Sequence, residues 1–234
     1  MGDRLGIIGG TGVRESAFGR SGTPIEVSGV TLLDADHFVL LQRHGFDRYV
    51  RAHEIDHRAN LLALRDAGCD RVLGLSSTGS LRVDWPVGTV VAPDDFYAPQ
   101  VNVTIHDDAG SHTVPSFDGV WRARVIETWR AHTATPILDG GVYTQTRGPR
   151  FETPAEVRAL ARIGDLVGMT IAAECILSKE VGLAYAAVCV VDNLANGLDA
   201  EPLTIGQFQA AVAANRAALL RDLDTVVPVL AGTD

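Results

Sequence analysis

Leu183-Ala-Tyr-Ala-Ala-Val-Cys-Val-Val191 runs nine residues without a charged or strongly polar side chain. A strand with one wet face alternates apolar and polar residues, so a run this continuous belongs in the middle of a sheet covered on both sides. Shorter apolar runs surround it. Residues 5–8 read as a buried strand entering glycines, and residues 37–42, 71–75 and 165–169 as further strands. Between them, residues 56–67 carry Leu61, Leu62 and Leu64 at helical spacing and stop at Gly68. Residues 120–132, 154–163, 172–181 and 204–227 also read as helices. Strands alternating with helices predict an α/β fold: one domain over residues 1–234, with a central mixed, largely parallel β-sheet flanked by helices. At 234 residues and 46% hydrophobic, the chain can bury the core of one large domain. Residues 92–119, rich in Asp, His and Pro, are the least regular stretch and read as a lid or a subunit contact.

A net charge of −9 disfavours nucleic acid and anionic membrane as partners, because both repel an acidic surface. Any phosphate must therefore be held by a local pocket. Cys69, Cys175 and Cys189 are odd in number, lie in apolar runs and lack metal-ligand spacing, which predicts reduced, buried thiols in a cytoplasmic protein and no metal site. The opening Met1-Gly-Asp-Arg leads directly into a strand, so no signal peptide is expected, and no apolar run has the length of a membrane span.

The predicted strands end in small or functional residues: Gly9-Gly-Thr-Gly12, Arg43-His44, Ser76-Ser-Thr-Gly79, Met169-Thr170 and Asp192-Asn193. In parallel-type sheets such ends gather on one edge, where ligands bind. The Gly9–Gly12 loop lets amides approach an anion, and Thr11 adds a hydroxyl; a purely structural tight turn is an equal reading. Its spacing lacks the pattern of a dinucleotide site or of a nucleotide P-loop, which disfavours a nicotinamide oxidoreductase. Arg43 offers a fixed cation, His44 a ring donor, and Ser76, Ser77 and Thr170 hydroxyls and amides. Singly, each would be read as a solvated strand end. Five clusters on one edge point to an oxyanion site, most simply inorganic phosphate held in the Arg43 fork and by hydroxyl donors.

A second passage adds a ring-binding character: Gly141-Val-Tyr-Thr-Gln-Thr-Arg-Gly-Pro-Arg-Phe-Glu-Thr-Pro-Ala-Glu156, followed by Val167-Gly-Met-Thr170 and Glu174. With Gly9-Gly-Thr-Gly12 and Arg43-His-Gly45, it resembles the purine nucleoside phosphorylase and methylthioadenosine phosphorylase family from Leu5 to the last helix. The resemblance implies phosphate contacts at Thr11, Arg43, His44, Ser76, Ser77 and Thr170. It places Met169 under the ribose, Glu174 on the sugar side and Phe151 against the purine, and has Glu152 accept from ring N1–H. Val190-Val-Asp-Asn-Leu-Ala-Asn-Gly197 resembles the base-reading stretch of 6-oxopurine members, which sets Asn193 opposite O6 and N7 with Asp192 beside it. Asn193, Glu152 and His44 are the expected catalytic groups. Ile205, in the middle of Pro202-Leu-Thr-Ile-Gly-Gln-Phe208, would face the 5′ position, and His112 would reach a neighbouring subunit's sugar. Each also has a plainer reading: Met169 as core, Glu152 as a helix-start charge, Asp192-Asn193 as an Asx turn and His112 as a surface histidine.

The expected activity is pentosyl transfer in purine salvage: phosphorolysis of a purine nucleoside to free purine and sugar 1-phosphate. An ionised Glu152 favours 6-oxopurines, and apolar Ile205 favours 5′-methylthioinosine. No cofactor is expected beyond phosphate as co-substrate, and a homotrimer or dimer of trimers is implied. The alternatives are a 5′-methylthioadenosine phosphorylase, a water-using nucleosidase and a non-catalytic nucleoside-binding homologue. The last is raised by departures from the family pattern at Arg147, His57 and Asp192; Ser76 and Ser77 also replace the Thr or Asn followed by Ala that relatives carry.

Overall fold

The structure, a computed structural model, describes residues 4–199 and 203–232. Residues 1–3 and Pro202, which entered the readings of the chain start and of the 5′ segment, lie outside the described residues. In chain order the elements are β1 (Leu5–Gly9), α1 (Thr11–Arg14), β2 (Thr23–Val27), β3 (Val30–Asp34), β4 (Phe38–Gln42), α2 (His57–Asp66), β5 (Arg71–Ser80), β6 (Val90–Ala92) and β7 (Asp95–Tyr97). They continue with α3 (Gly119–His132), β8 (Ile137–Asp139), β9 (Val142–Gln145), α4 (Pro154–Leu160), β10 (Leu166–Gly168), α5 (Ile171–Glu180), β11 (Ala184–Leu194) and α6 (Ile205–Ala231).

The strands form one mixed, largely parallel sheet, and β5 is where it forks. Along one edge β5 pairs with β11 over its whole length, from Arg71 opposite Ala184 to Ser80 opposite Leu194. Along the other it pairs in parallel with β1 only from Arg71 to Gly74, and antiparallel with β10 only at Gly79 and Ser80. From β1 the sheet continues through β4 and β3 to β2; from β10 it continues through β9 to β7. Residues 75–78 therefore face a gap between two diverging branches.

The continuous apolar run of β11 is explained by helices on both faces. Val188 and Val190 join Leu5, Ile7, Leu73 and Leu75 in a core against Trp121 and Trp129 of α3 and Leu223 and Val226 of α6. Ala187, Cys189 and Val191 face the other way, with Ile8, Val72, Leu61 and Leu64 of α2 and Cys175 and Leu177 of α5. The three cysteines are unpaired and buried, and burial pushes each thiol up to about 12.

The predicted helices are all present. The 154–163 helix ends early, at Leu160, and the last helix runs on to Ala231. The β5 strand continues five residues past the predicted Leu75, because β11 keeps pairing with it. The β2–β3 hairpin had no strong apolar run to mark it, since its burial is largely exposed or intermediate. The irregular 92–119 stretch contains β7 and is tied to the end of α5, where the Glu180 carboxylate accepts from the Ile105 amide at 2.5 Å.

Candidate active site

A cleft with about 150 Å³ of free volume opens at the fork of the sheet. Eleven of the fourteen predicted site residues line it: Thr11, Arg43, His44, Ser76, Ser77, Phe151, Glu152, Met169, Thr170, Asn193 and Ile205. Topology brings them together. β4 delivers Arg43 and His44, and β1, its neighbour, delivers Thr11. β10 runs antiparallel to β5, with Leu166 opposite Ser80 and Val167 opposite Gly79, so Met169 and Thr170 are carried back toward Ser77 and Ser76. The hydroxyl-lined edge of the cleft thus combines parallel strand ends, the middle of β5 and an antiparallel return. Gly10 is needed for this convergence, since a Cβ there would lie 2.5 Å from the Leu75 carbonyl and 2.7 Å from Arg43 Nη1.

Arg43 is buried, and its fork closes on protein instead of standing open for phosphate. Nε donates to Glu174 Oε1 at 2.6 Å, Nη2 to Glu174 Oε2 at 2.8 Å and Nη1 to Leu75 O at 2.6 Å. Burial alone would lower the guanidinium's affinity for its proton, but the adjacent Glu174 carboxylate more than offsets it and the net shift is upward. Three of the five guanidinium N–H groups are engaged, and the charge is already balanced. Glu174, expected on the sugar side, is fully buried behind the cleft wall, where Tyr185 Oη also donates to it at 2.6 Å. A cation this deep needs a counter-charge, and the first turn of α5 supplies one.

His44 differs from its expected role as a ring donor. Its Nδ1 lies 2.8 Å from the Val50 carbonyl, an oxygen that only accepts, so the ring proton sits on Nδ1 and neutral His44 keeps its lone pair on Nε2. Burial, reinforced by the Arg43 charge, lowers its pKa to about 4, so the neutral form prevails near neutral pH. Tyr49 stacks on the ring at 5.3 Å and also lines the cleft.

The hydroxyls divide between ligand and scaffold. Thr170 stands at the N-cap position of α5 yet makes no side-chain cap bond, leaving its hydroxyl for the cleft. Ser77 Oγ donates to Asp192, so Ser77 can offer an anion its amide but not that proton. Asp192, expected at the base, is the extra residue of a bulge between Val191 and Asn193. Its buried carboxylate also accepts from Asn215 Nδ2 of α6 at 2.7 Å, and it does not line the cleft. Burial raises its pKa, against the pull of Ser77 and Asn215. The bulge re-aims the next residue, and Asn193 enters the cleft.

At the opposite side, Glu152 Oε1 accepts from Thr146 Oγ1 at 2.5 Å, and the Glu152 backbone carbonyl accepts from Asn196 Nδ2 at 3.0 Å. The second bond ties the Gly-Pro turn segment to the loop after Asn193. Phe151 packs on Phe208 of α6 with ring centroids 5.7 Å apart. His112 follows a short 3-10 turn at Ala109–Ser111 and does not line its own chain's cleft. Tyr49 and Phe208 also line the cleft without having been singled out as site residues from the sequence. Tyr49 sits on an irregular loop and Phe208 in an ordinary amphipathic helix, so neither carried a local signal.

Chemically, one side of this cleft presents hydroxyls, amides and a charge-balanced arginine suited to an oxyanion. The other presents a carboxylate, a carboxamide and aromatic faces suited to a flat polar ring. The sequence model of the Phosphorylase superfamily matches residues 4–227. A protein of Archaeoglobus fulgidus named probable 6-oxopurine nucleoside phosphorylase is 37% identical over 202 residues, covering 83% of each chain. One of Thermodesulfovibrio yellowstonii named probable S-methyl-5'-thioinosine phosphorylase is 33% identical over 221 residues, covering 86% of this chain and 82% of its own. Methylthioadenosine phosphorylase from Schistosoma mansoni, solved in complex with adenine, shares the fold at a TM-score of 0.82 and 22% identity, over 99% of this chain and 92% of its own. Sequence match, relatives and shared fold agree, and the chain belongs to the Phosphorylase superfamily.

Proposed function

We propose that the protein cleaves the N-glycosidic bond of 6-oxopurine nucleosides with inorganic phosphate, giving the free purine and a sugar 1-phosphate. The observation that carries this is the pairing of Glu152 and Asn193 in one cleft with the hydroxyl-lined gap in the sheet. An ionised carboxylate accepts from the N1–H of a 6-oxopurine and repels the N1 lone pair of a 6-amino ring. Asn193 Nδ2 spends one N–H on the Leu194 carbonyl at 2.8 Å and keeps the other to donate to O6 or to N7 as negative charge develops on the leaving base. Phosphate is the nucleophile, and its charge would stabilise the cationic sugar. The relatives named for 6-oxopurine and methylthioinosine substrates support this reading.

For the 5′ position we favour a methylthio group over a hydroxyl. Ile205 and Phe208 line the cleft and offer no hydrogen bond. A hydroxyl buried against them would go unsatisfied, at a cost of roughly 1–3 kcal/mol. Ile205 is 61% exposed and Tyr49 53% exposed, although both line the cleft, so in a lone chain this side is open. A neighbouring copy bringing His112 would close it, which suits a homotrimer. The three buried thiols fit the reducing cytoplasm.

Specificity constants for inosine, guanosine, adenosine and their 5′-methylthio forms, with and without phosphate, test the reading. The expected result is strict phosphate dependence with methylthioinosine first. Equal rates without phosphate would make the enzyme a nucleosidase, preference for the adenosine forms a methylthioadenosine phosphorylase, and no turnover a binding protein.

A further inference from the structure

We propose that Thr146 is a positioning residue that sets which purines the cleft accepts, by holding the Glu152 carboxylate from behind. This rests on Glu152 being the group that meets N1–H. Thr146 lies one residue beyond β9, and its amide donates to Gly168 O at 2.9 Å, which anchors it to the end of β10. Its Oγ1 donates to Glu152 Oε1 at 2.5 Å across the Gly148-Pro149 turn.

Thr146 does not line the cleft. It lines a second hollow of about 230 Å³ with Tyr97, Arg147 and Arg150, and Glu152 lines both spaces. Glu152 is therefore a wall between two hollows, gripped on one oxygen from the far side, with the other oxygen left for a ligand. That grip matters because the terminal torsion of a glutamate is broad and defines no carboxylate plane by itself. The Asn196 bond to the Glu152 backbone carbonyl fixes the main chain and leaves the carboxylate free to turn. A single threonine hydroxyl, anchored through its own backbone to the sheet, then decides the direction in which the acceptor lone pairs point. A 6-oxopurine needs that direction for its N1–H, whereas a 6-amino ring, which brings no N1 proton, gains nothing from it.

The test compares Thr146→Val, Thr146→Ser and Glu152→Gln on a 6-oxo and a 6-amino nucleoside with the same 5′ group, at saturating phosphate. Thr146→Val is expected to lower kcat/KM for the 6-oxo substrate by about tenfold or more, as befits a lost bond to a charged group, with little change for the 6-amino one. Thr146→Ser keeps the hydroxyl and should keep the wild-type ratio. If Thr146→Val lowers both substrates equally, or leaves the ratio unchanged while Glu152→Gln collapses it, the positioning role is overturned and the reading of Glu152 stands. If Glu152→Gln leaves the ratio unchanged, that reading falls and the inference with it. Should Thr146→Val fail to fold, Thr146→Ala removes the same hydroxyl without added bulk and is judged by the same ratio.

Discussion

Arg43 shows how one residue can be placed correctly and still act differently from its surface image. Because its charge is already answered by Glu174, it stiffens the hydroxyl-lined edge of the cleft and leaves its remaining N–H groups without an unbalanced positive charge. Removing either partner strands a buried ion, so Glu174→Gln should destabilise the fold by about 3–5 kcal/mol in urea unfolding and weaken phosphate binding with it. A cleaner probe of phosphate is Thr170→Val, which touches no structural side-chain bond: KM for phosphate should rise about tenfold with the melting temperature little changed. His44 supplies a pH signature. Its pKa falls from 6.5 in the unfolded chain to about 4 in the fold, so below pH 6.5 the unfolded state binds the extra proton. Stability is therefore full above about 6.5 and is lost as pH falls toward 4, by up to roughly 3 kcal/mol from this residue. His57, also lowered mainly by burial, works in the same direction. Urea midpoints across this range should show a shallower pH slope in His44→Asn; an unchanged slope would remove His44 from the account.

At the scale of elements, β5 does the organising, because it alone touches both branches of the fork and β11. Gly74 marks the last residue paired with β1. A Cβ there would lie 2.2 Å from Tyr185 Oη, the group that donates to Glu174. Gly74→Ala should therefore push Tyr185 off the ion pair, lowering stability by about 1–3 kcal/mol and phosphate affinity as well. Helix α6 couples to the same region from outside. Its Thr204 cap holds the first turn, which carries Ile205 and Phe208, while Asn215 holds Asp192 behind Ser77. Thr204→Ala should cost about 1 kcal/mol and raise KM for the nucleoside more than for phosphate, since the frayed turn borders only the 5′ side.

For the whole molecule, ligand and assembly are linked to stability by mass action. Phosphate alone at a hundredfold its Kd should raise unfolding free energy by about 2.7 kcal/mol, read as a rise in melting temperature that is roughly halved in Thr170→Val at the same phosphate concentration. The homotrimer proposed above would cover the exposed cleft-lining residues Ile205 and Tyr49, and on that proposal solution mass should be a multiple of three chains. A fully active monomer would exclude His112 from any site.

The apolar run ending at Val191, the helical spacing of Leu61 and Leu64, and the glycines that end β1 were enough for an α/β fold, because burial on two faces and amphipathic periodicity are local properties of a chain. The strand-end clusters likewise marked eight of the predicted site residues that line the cleft before any coordinates, since strand ends in such sheets share an edge, and the family resemblance added Phe151, Glu152 and Ile205. What each side chain then does was decided in three dimensions. Glu174 and Arg43 lie 131 positions apart, and Asp192 and Ser77 115 apart, so no local pattern could reveal that the first carboxylate neutralises the cation or that the second accepts the serine's hydrogen bond. The His44 tautomer depends on the carbonyl of Val50, and the entry of Asn193 into the cleft depends on one extra residue in β11. Partner choice among buried polar groups is fixed by which strands diverge and which helix packs across the gap, and that is a property of the packed sheet alone.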